Sequence, residues 1–253
     1  MEIKVGCCGF SIRKKAYFET FKLVELQETF YNIPKLESVY KWRNNAPKDF
    51  EFTVKAWQVI THPSNSPTWR RIKTKIIESE KQYYGLLKPT RLNFEAWNKT
   101  LEVCKALKSK VCLLQTPPQF NCTKENIQNM YEFLSKIQRN NLFIAWEPRG
   151  DWKDPSNKES IKKVCEDLKL IHVVDLLRYD PIITCEIVYT RLHGLGLKEY
   201  NYSYKYTDED LKKLLIKIKE LEKFGISLVY VLFNNVWMRE DAKRFINLLE
   251  KAF

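Results

Sequence analysis

The chain has 253 residues, 43 Lys and Arg against 31 Asp and Glu for a net charge of +12, and only 7 glycines. Its hydrophobic content of 44% excludes a disordered chain, and no apolar run approaches the roughly 18 residues that a membrane span needs. A length near 250 residues supports a full core without disulfide or metal staples.

The chain opens on Glu2-Ile3-Lys4-Val5, a strand pattern rather than a secretory leader, which gives a cytoplasmic expectation. A first strand is predicted over Ile3–Cys7. Further apolar, β-branched runs follow at Lys22–Gln27, Phe50–Ala56, Val111–Gln115, Leu142–Glu147, Ile171–Asp175, Ile187–Leu192 and Ser227–Phe233. Several are apolar throughout, as strands buried on both faces should be. Helical spacing appears between them, at Leu36–Asn45 and Phe94–Leu107. Thr123 reads as the cap of a helix running to Arg139, and Ser156 or Asn157 as the cap of Lys158–Lys169. Thr207-Asp208-Glu209-Asp210 opens a long helix with acids where the macrodipole favours them, and Gly225 stops it. A last helix covers Val236–Lys251.

Between the third and fourth strands lie over fifty residues, read as a long loop plus two helices. Between the sixth and seventh, Leu176–Glu186 with Pro181 is too short for a full helix. Strand–helix alternation predicts a parallel sheet. Eight such units at this length predict an α/β fold, a single TIM-like (β/α)8 barrel over residues 1–253. Seven cysteines without paired C-x-x-C spacing indicate neither a disulfide framework nor a zinc ribbon. Cys104, Cys112, Cys165 and Cys185 read as small buried hydrophobes.

In such a barrel the chemistry lies at the C-terminal ends of the strands. There the sequence places Gly6-Cys7-Cys8-Gly9, then Glu25 and Gln27 on strand two, and Lys55 followed by Thr61-His62 on strand three. Strands four, five and six add Gln115, Glu147-Pro148-Arg149 with Trp152, and Asp175. Strand seven carries Arg191 and ends in His193-Gly194, and strand eight ends in Asn234-Asn235. A barrel built for stability alone needs no such series of charged strand ends.

These segments resemble the domain of unknown function 72 family, the YecE-like proteins. The resemblance rests on Val5–Phe10, Val24-Glu25 through Thr29-Phe30-Tyr31, Phe52–Ala56 with Ile60-Thr61-His62, Leu113–Pro118, Glu147-Pro148-Arg149 with Trp152, Tyr189–Gly194 and Tyr230–Asn235. It spans nearly the whole chain and implies a TIM-like barrel, but no established activity. One departure is Gln27-Glu28, where many members carry an asparagine at the first position.

The residue types suggest an enzyme acting on an anionic, phosphate-containing substrate, of the phosphoester hydrolase type. Lys55, Arg149 and Arg191 would neutralise the anion, and Glu147 and His193 would move protons. Glu25 and Asp175 would orient these groups, or with Glu147 and His193 hold a divalent metal such as Mg2+ or Mn2+. Gln115, Asn234 and Asn235 would supply neutral hydrogen bonds to substrate. Gly194-Leu195-Gly196 does not form a nucleotide-cofactor loop. Lys55 also fits a salt bridge to Glu25 or Glu147, and His172 reads as structural at the start of strand six.

A second reading is nucleic-acid binding or processing. Ser64–Lys110 holds 11 basic residues against 4 acidic, a pattern that attracts polyanions or merely solvates a surface. A third is a carbohydrate enzyme using Glu25 and Glu147 as its carboxylate pair. Trp42, Trp57, Trp69 and Trp152 would stack sugars or bases, or fill the core. A non-catalytic ligand-binding barrel is the remaining alternative. Tyr200, Tyr202, Tyr204 and Tyr206 alternate in the loop after strand seven, the pattern of an extended lid, a stacking surface or a loop packed on the rim.

Overall fold

The computed structural model describes residues 1–252. Eight parallel strands form one sheet, β1 (Glu2–Cys8), β2 (Leu23–Leu26), β3 (Glu51–Lys55), β4 (Val111–Gln115), β5 (Phe143–Glu147), β6 (Leu170–His172), β7 (Ile187–Leu192) and β8 (Leu228–Phe233). Their order is β6-β5-β4-β3-β2-β1-β8-β7. The helices are α1 (Lys14–Thr20), α2 (Glu28–Tyr31), α3 (Leu36–Asn45), α4 (Arg91–Leu107), α5 (Lys124–Lys136), α6 (Lys158–Leu168), α7 (Asp208–Glu220) and α8 (Met238–Ala252). The connectivity is that of the (β/α)8 fold class expected from the alternation. The chain forms two compact units, one of Met1–Glu25, Ala46–Glu51 and Ile171–Phe253, the other of Leu26–Asn45 and Phe52–Leu170.

In the first unit β1 runs beside β8 from Glu2↔Leu228 to Cys7↔Phe233, and β8 beside β7 from Leu228↔Ile187 to Phe233↔Leu192. On its other side β1 meets β2 with Gly6 opposite Leu23. A Cβ on Gly6 would stand 2.1 Å from the Leu23 carbonyl oxygen, so only glycine allows this approach. Past β6, Val174 bridges to Thr190 of β7, and Arg191 N–H donates to Val174 O at 3.1 Å. Thr207 and Asp210 form a reciprocal capping box at the start of α7. A short 3-10 turn extends that helix to Gly225, whose φ of 74° closes it.

In the second unit β3, β4 and β5 are consecutive neighbours, and β4 is buried along its whole length. Thr90 caps α4 and Thr123 caps α5, each accepting from the backbone N–H three residues on.

Three expectations need correction. The β3–β4 connection holds one α-helix, α4, preceded by three 3-10 turns at Gln58–Ile60, Pro67–Arg71 and Glu78–Tyr83. Pro63, Pro67 and Pro89 interrupt any longer helix there. The sixth strand stops at His172, so His172 ends it and Asp175 lies three residues beyond. His172 Nδ1 accepts from Ile182 N–H at 3.2 Å. Cys185 is half-buried, whereas Cys104, Cys112 and Cys165 are core.

Candidate functional site

The second unit gathers charge at the C-terminal ends of β3, β4 and β5. Lys55 lies opposite Leu113, and Gln115 opposite Glu147. Residues two apart on a strand share a face, so Lys55, Gln115 and Glu147 project from one face of the sheet. Lys55 Nζ donates to Gln115 Oε1 at 2.7 Å and stands 4.0 Å from the Phe30 ring centroid. A lysine only 6% exposed needs such partners to remain charged. Beyond Pro148, Arg149 Nη2 donates to Glu147 Oε1 at 3.2 Å. His62 is also buried. Its Nδ1 lies 2.8 Å from the Thr61 hydroxyl, and its ring meets Phe30 edge-on at 5.0 Å. Burial, then the Lys55 and Arg149 charges, push the His62 pKa down to about 3. The imidazole is therefore neutral at pH 7 in a region of positive potential.

Part of the basic segment is stitched to the same unit. Trp69 Nε1 donates to His62 O at 3.0 Å. Asn32 holds the segment by both ends of its amide, donating to Arg71 O at 3.1 Å and accepting from Lys73 N–H at 2.6 Å. The Arg71 guanidinium lies over Tyr31, 3.7 Å from its centroid. Arg70, Arg71, Lys73 and Lys75 are all exposed.

The first unit holds a different arrangement. Glu25 is fully buried. One of its oxygens accepts from Arg191 Nη2 at 2.9 Å and the other from the Tyr189 hydroxyl at 2.7 Å. Tyr189, Arg191 and His193 alternate along one face of β7 and its extension. Arg191 Nη1 is 3.4 Å from His193 Nε2. Asp175 accepts from the backbone N–H of His193 at 3.2 Å and of Leu177 at 3.0 Å. A glycosidase role for Glu25 would have to work against Tyr189 and Arg191, which occupy both its oxygens.

Of the strand-eight amides, Asn235 gives its Nδ2 to Tyr204 O and Asp241 Oδ2, both at 2.7 Å. It anchors the β7–α7 loop to α8. Asn234 is half-buried and donates its backbone N–H to Leu192 O at 2.9 Å. Trp152 and Trp57 are core residues, Trp152 stacking on Phe120 and meeting Trp146 edge-on. Among the described residues no group of three or more His, Cys, Asp or Glu is placed to hold a metal ion, so Glu25, Glu147, Asp175 and His193 have no ligand-set geometry in their favour. No described helix is long and apolar enough to cross a membrane.

Sequence reasoning gave Phe30 no role and left His62 undecided. The signal for His62 was its place in the segment that follows β3, just past the 3-10 turn Gln58–Ile60. Phe30 carried none, because an aromatic residue in an apolar stretch reads as core.

The sequence pattern of a family described as "Protein of unknown function DUF72" matches residues 13–253. The UPF0759 protein YunF of Bacillus subtilis (strain 168) is 27% identical over 246 residues, covering 87% of this chain and 79% of that protein. The crystal structure of the DUF72 family protein EF0366 from Enterococcus faecalis V583 is similar with a TM-score of 0.73 at 21% identity, over 98% of this chain and 97% of that one. Endonuclease IV from Thermus thermophilus shares the fold more distantly, with a TM-score of 0.55 at 11% identity over 98% of each chain.

Proposed function

This chain belongs to the DUF72 family of proteins of unknown function, and from that premise we propose that it is an enzyme acting on an anionic, phosphate-containing substrate at the strand ends of its second unit. One observation carries the reading. Lys55 and Arg149 stand with Gln115 and Glu147 at neighbouring strand ends, Lys55 Nζ on Gln115 Oε1 and Arg149 Nη2 on Glu147 Oε1, and after burial itself their charges lower the pKa of His62. An anion is the ligand that such a field selects, and fixed charge aimed at developing negative charge is usually the largest catalytic term.

Within this reading Lys55 and Arg149 bind phosphate oxygens, the planar Arg149 offering two parallel donors. Gln115 and Phe30 hold the Lys55 ammonium in place. The neutral His62, its Nδ1 paired with the Thr61 hydroxyl, adds a hydrogen-bonding group rather than a third cation. Glu147 is the proton carrier. Water adds to phosphorus, the ester P–O bond breaks, and Glu147 takes the proton from water and returns it to the leaving oxygen.

The test is a panel of phosphomonoesters and phosphodiesters assayed with the wild type and with Glu147→Gln. The expected loss is on the order of 100-fold or more in kcat with an unchanged circular dichroism spectrum. Full activity in Glu147→Gln would remove the assignment.

A second reading, nucleic acid as the phosphate-bearing substrate, is favoured by the segment around Arg70–Lys75. Asn32 and Tyr31 fix this basic stretch against the chain that follows β2. The fold is also that of an endonuclease, a likeness of fold alone. Binding to a single-stranded or duplex oligonucleotide would fall steeply with salt. No binding at low salt would exclude it.

A further inference from the structure

The four alternating tyrosines after β7 divide into two pairs with different roles. Tyr206 is buried, and its hydroxyl accepts from Gly194 N–H at 2.7 Å. Tyr204 donates its hydroxyl to Asp210 Oδ2 at 2.6 Å. Tyr204 anchors the loop to α7, and Tyr206 ties it back to the end of β7. Tyr200 and Tyr202 instead lie nearly parallel to one another, 16° apart in plane with centroids 6.4 Å apart. Both meet His193 edge-on, at 5.2 and 5.9 Å. The Tyr202 side is open to solvent at 43% exposure. Val236 N–H donates to Tyr202 O at 2.7 Å, which brings the exposed Val236 and Trp237 alongside. Lys205 Nζ stands 4.4 Å from the Trp237 ring centroid.

This loop is held firmly although its aromatic face is wet. Arg178 donates to Gly194 O at 2.8 Å, Lys198 O at 3.0 Å and Gly196 O at 3.4 Å. Asn201 donates its backbone N–H to His193 O at 2.9 Å and its side-chain amide to Leu195 O at 2.8 Å. Gly194, at a φ of 84°, has no space for a Cβ, which would stand 2.0 Å from Asn201 O. Exposed aromatic rings on a preorganised backbone bind without first bearing the entropic cost of ordering a loop.

We propose that Tyr200, Tyr202 and Trp237 form a binding platform for a planar heteroaromatic ring of the nucleobase class. A flat ring continues the Tyr200–Tyr202 stack by one layer, π-face on π-face. A sugar ring, which offers an aromatic its C–H face, is the alternative that maltose tests. Lys205, over the Trp237 ring and bonded to Glu240 Oε2 at 2.7 Å, adds a cation at the Trp237 end. The platform lies within the first unit and does not depend on the phosphate reading above.

Calorimetric titration with adenosine, which has no phosphate, tests it directly. Saturable binding of adenosine is expected, with maltose showing none. Tyr202→Ala should weaken adenosine affinity on the order of tenfold or more, while Tyr202→Phe retains it and both variants keep the wild-type Tm. No adenosine binding at millimolar concentration would overturn the proposal. So would unchanged affinity in Tyr202→Ala, or binding of maltose without adenosine.

Discussion

Glu25 with Arg191 and Lys55 with Gln115 are both buried polar pairs at strand ends, yet they differ in kind. The first joins two opposite charges at 1% exposure or less, with a tyrosine hydroxyl completing the carboxylate. The second joins a cation to a neutral amide, and the cation lies on an aromatic face. A buried ion pair offsets its own desolvation and holds its place. Around the second, burial first and then the Lys55 and Arg149 charges push the His62 pKa down. The first cluster holds an arginine on a carboxylate, the second a lysine on an amide and a ring, so the partner type distinguishes the two better than the mere presence of charged residues.

Removing one partner from each pair should widen that contrast. Arg191→Ala should cost about 3–5 kcal/mol in urea unfolding, because it leaves Glu25 buried without its guanidinium. Lys55→Met should cost about 1–3 kcal/mol through the Gln115 amide that it leaves unsatisfied, while phosphate-ester turnover falls on the order of 100-fold. Equal stability losses in the two variants would erase the distinction.

Acid titration sharpens it further. The His62 pKa is about 3 against an ordinary 6.5, so protonation favours the unfolded chain. Its contribution to stability is complete above about pH 6.5 and declines as the pH falls toward 3, by at most about 1.4 kcal/mol per pH unit. His62→Gln should flatten that part of the stability profile in guanidinium melts. At the outer edge of the second unit, Arg70→Gln with Arg71→Gln should reduce the log–log salt slope of oligonucleotide binding by about 1 for each phosphate that the two side chains neutralise. The smallest effect belongs far from either cluster: Thr207→Ala should lower stability by about 1 kcal/mol through the α7 cap, measured by thermal unfolding.

The strands were legible wherever both faces are buried. Val111–Gln115 and Ile187–Leu192 match their predicted bounds to the residue, because an apolar run with polar ends has only one reading. The sixth strand was overextended because Val173 and Val174 continue the apolar run, although only Val174 bridges to β7. The α1 helix was missed. It is seven residues long, its N-cap Arg13 makes no side-chain cap bond, and its first turn has no acid, so every start signal is lacking. At the site, the sequence supplied the residue types but not the pairings. Lys55 and Gln115 are sixty positions apart, and only the register of β3 against β4 reveals that their side chains meet. The same limit hid the partnership of Glu25 with Tyr189 and Arg191.

The close approach at Gly6 has a consequence for how the first unit assembles. Sliding β1 by one residue along β2 would bring the side chain of Val5 or Cys7 against the Leu23 carbonyl, where even a Cβ would stand at 2.1 Å. It would also turn every side chain of the strand to the wrong face. Gly6 thus acts as a key that admits one alignment of the first two strands, and a misaligned chain meets a steric stop before it can begin to close a core.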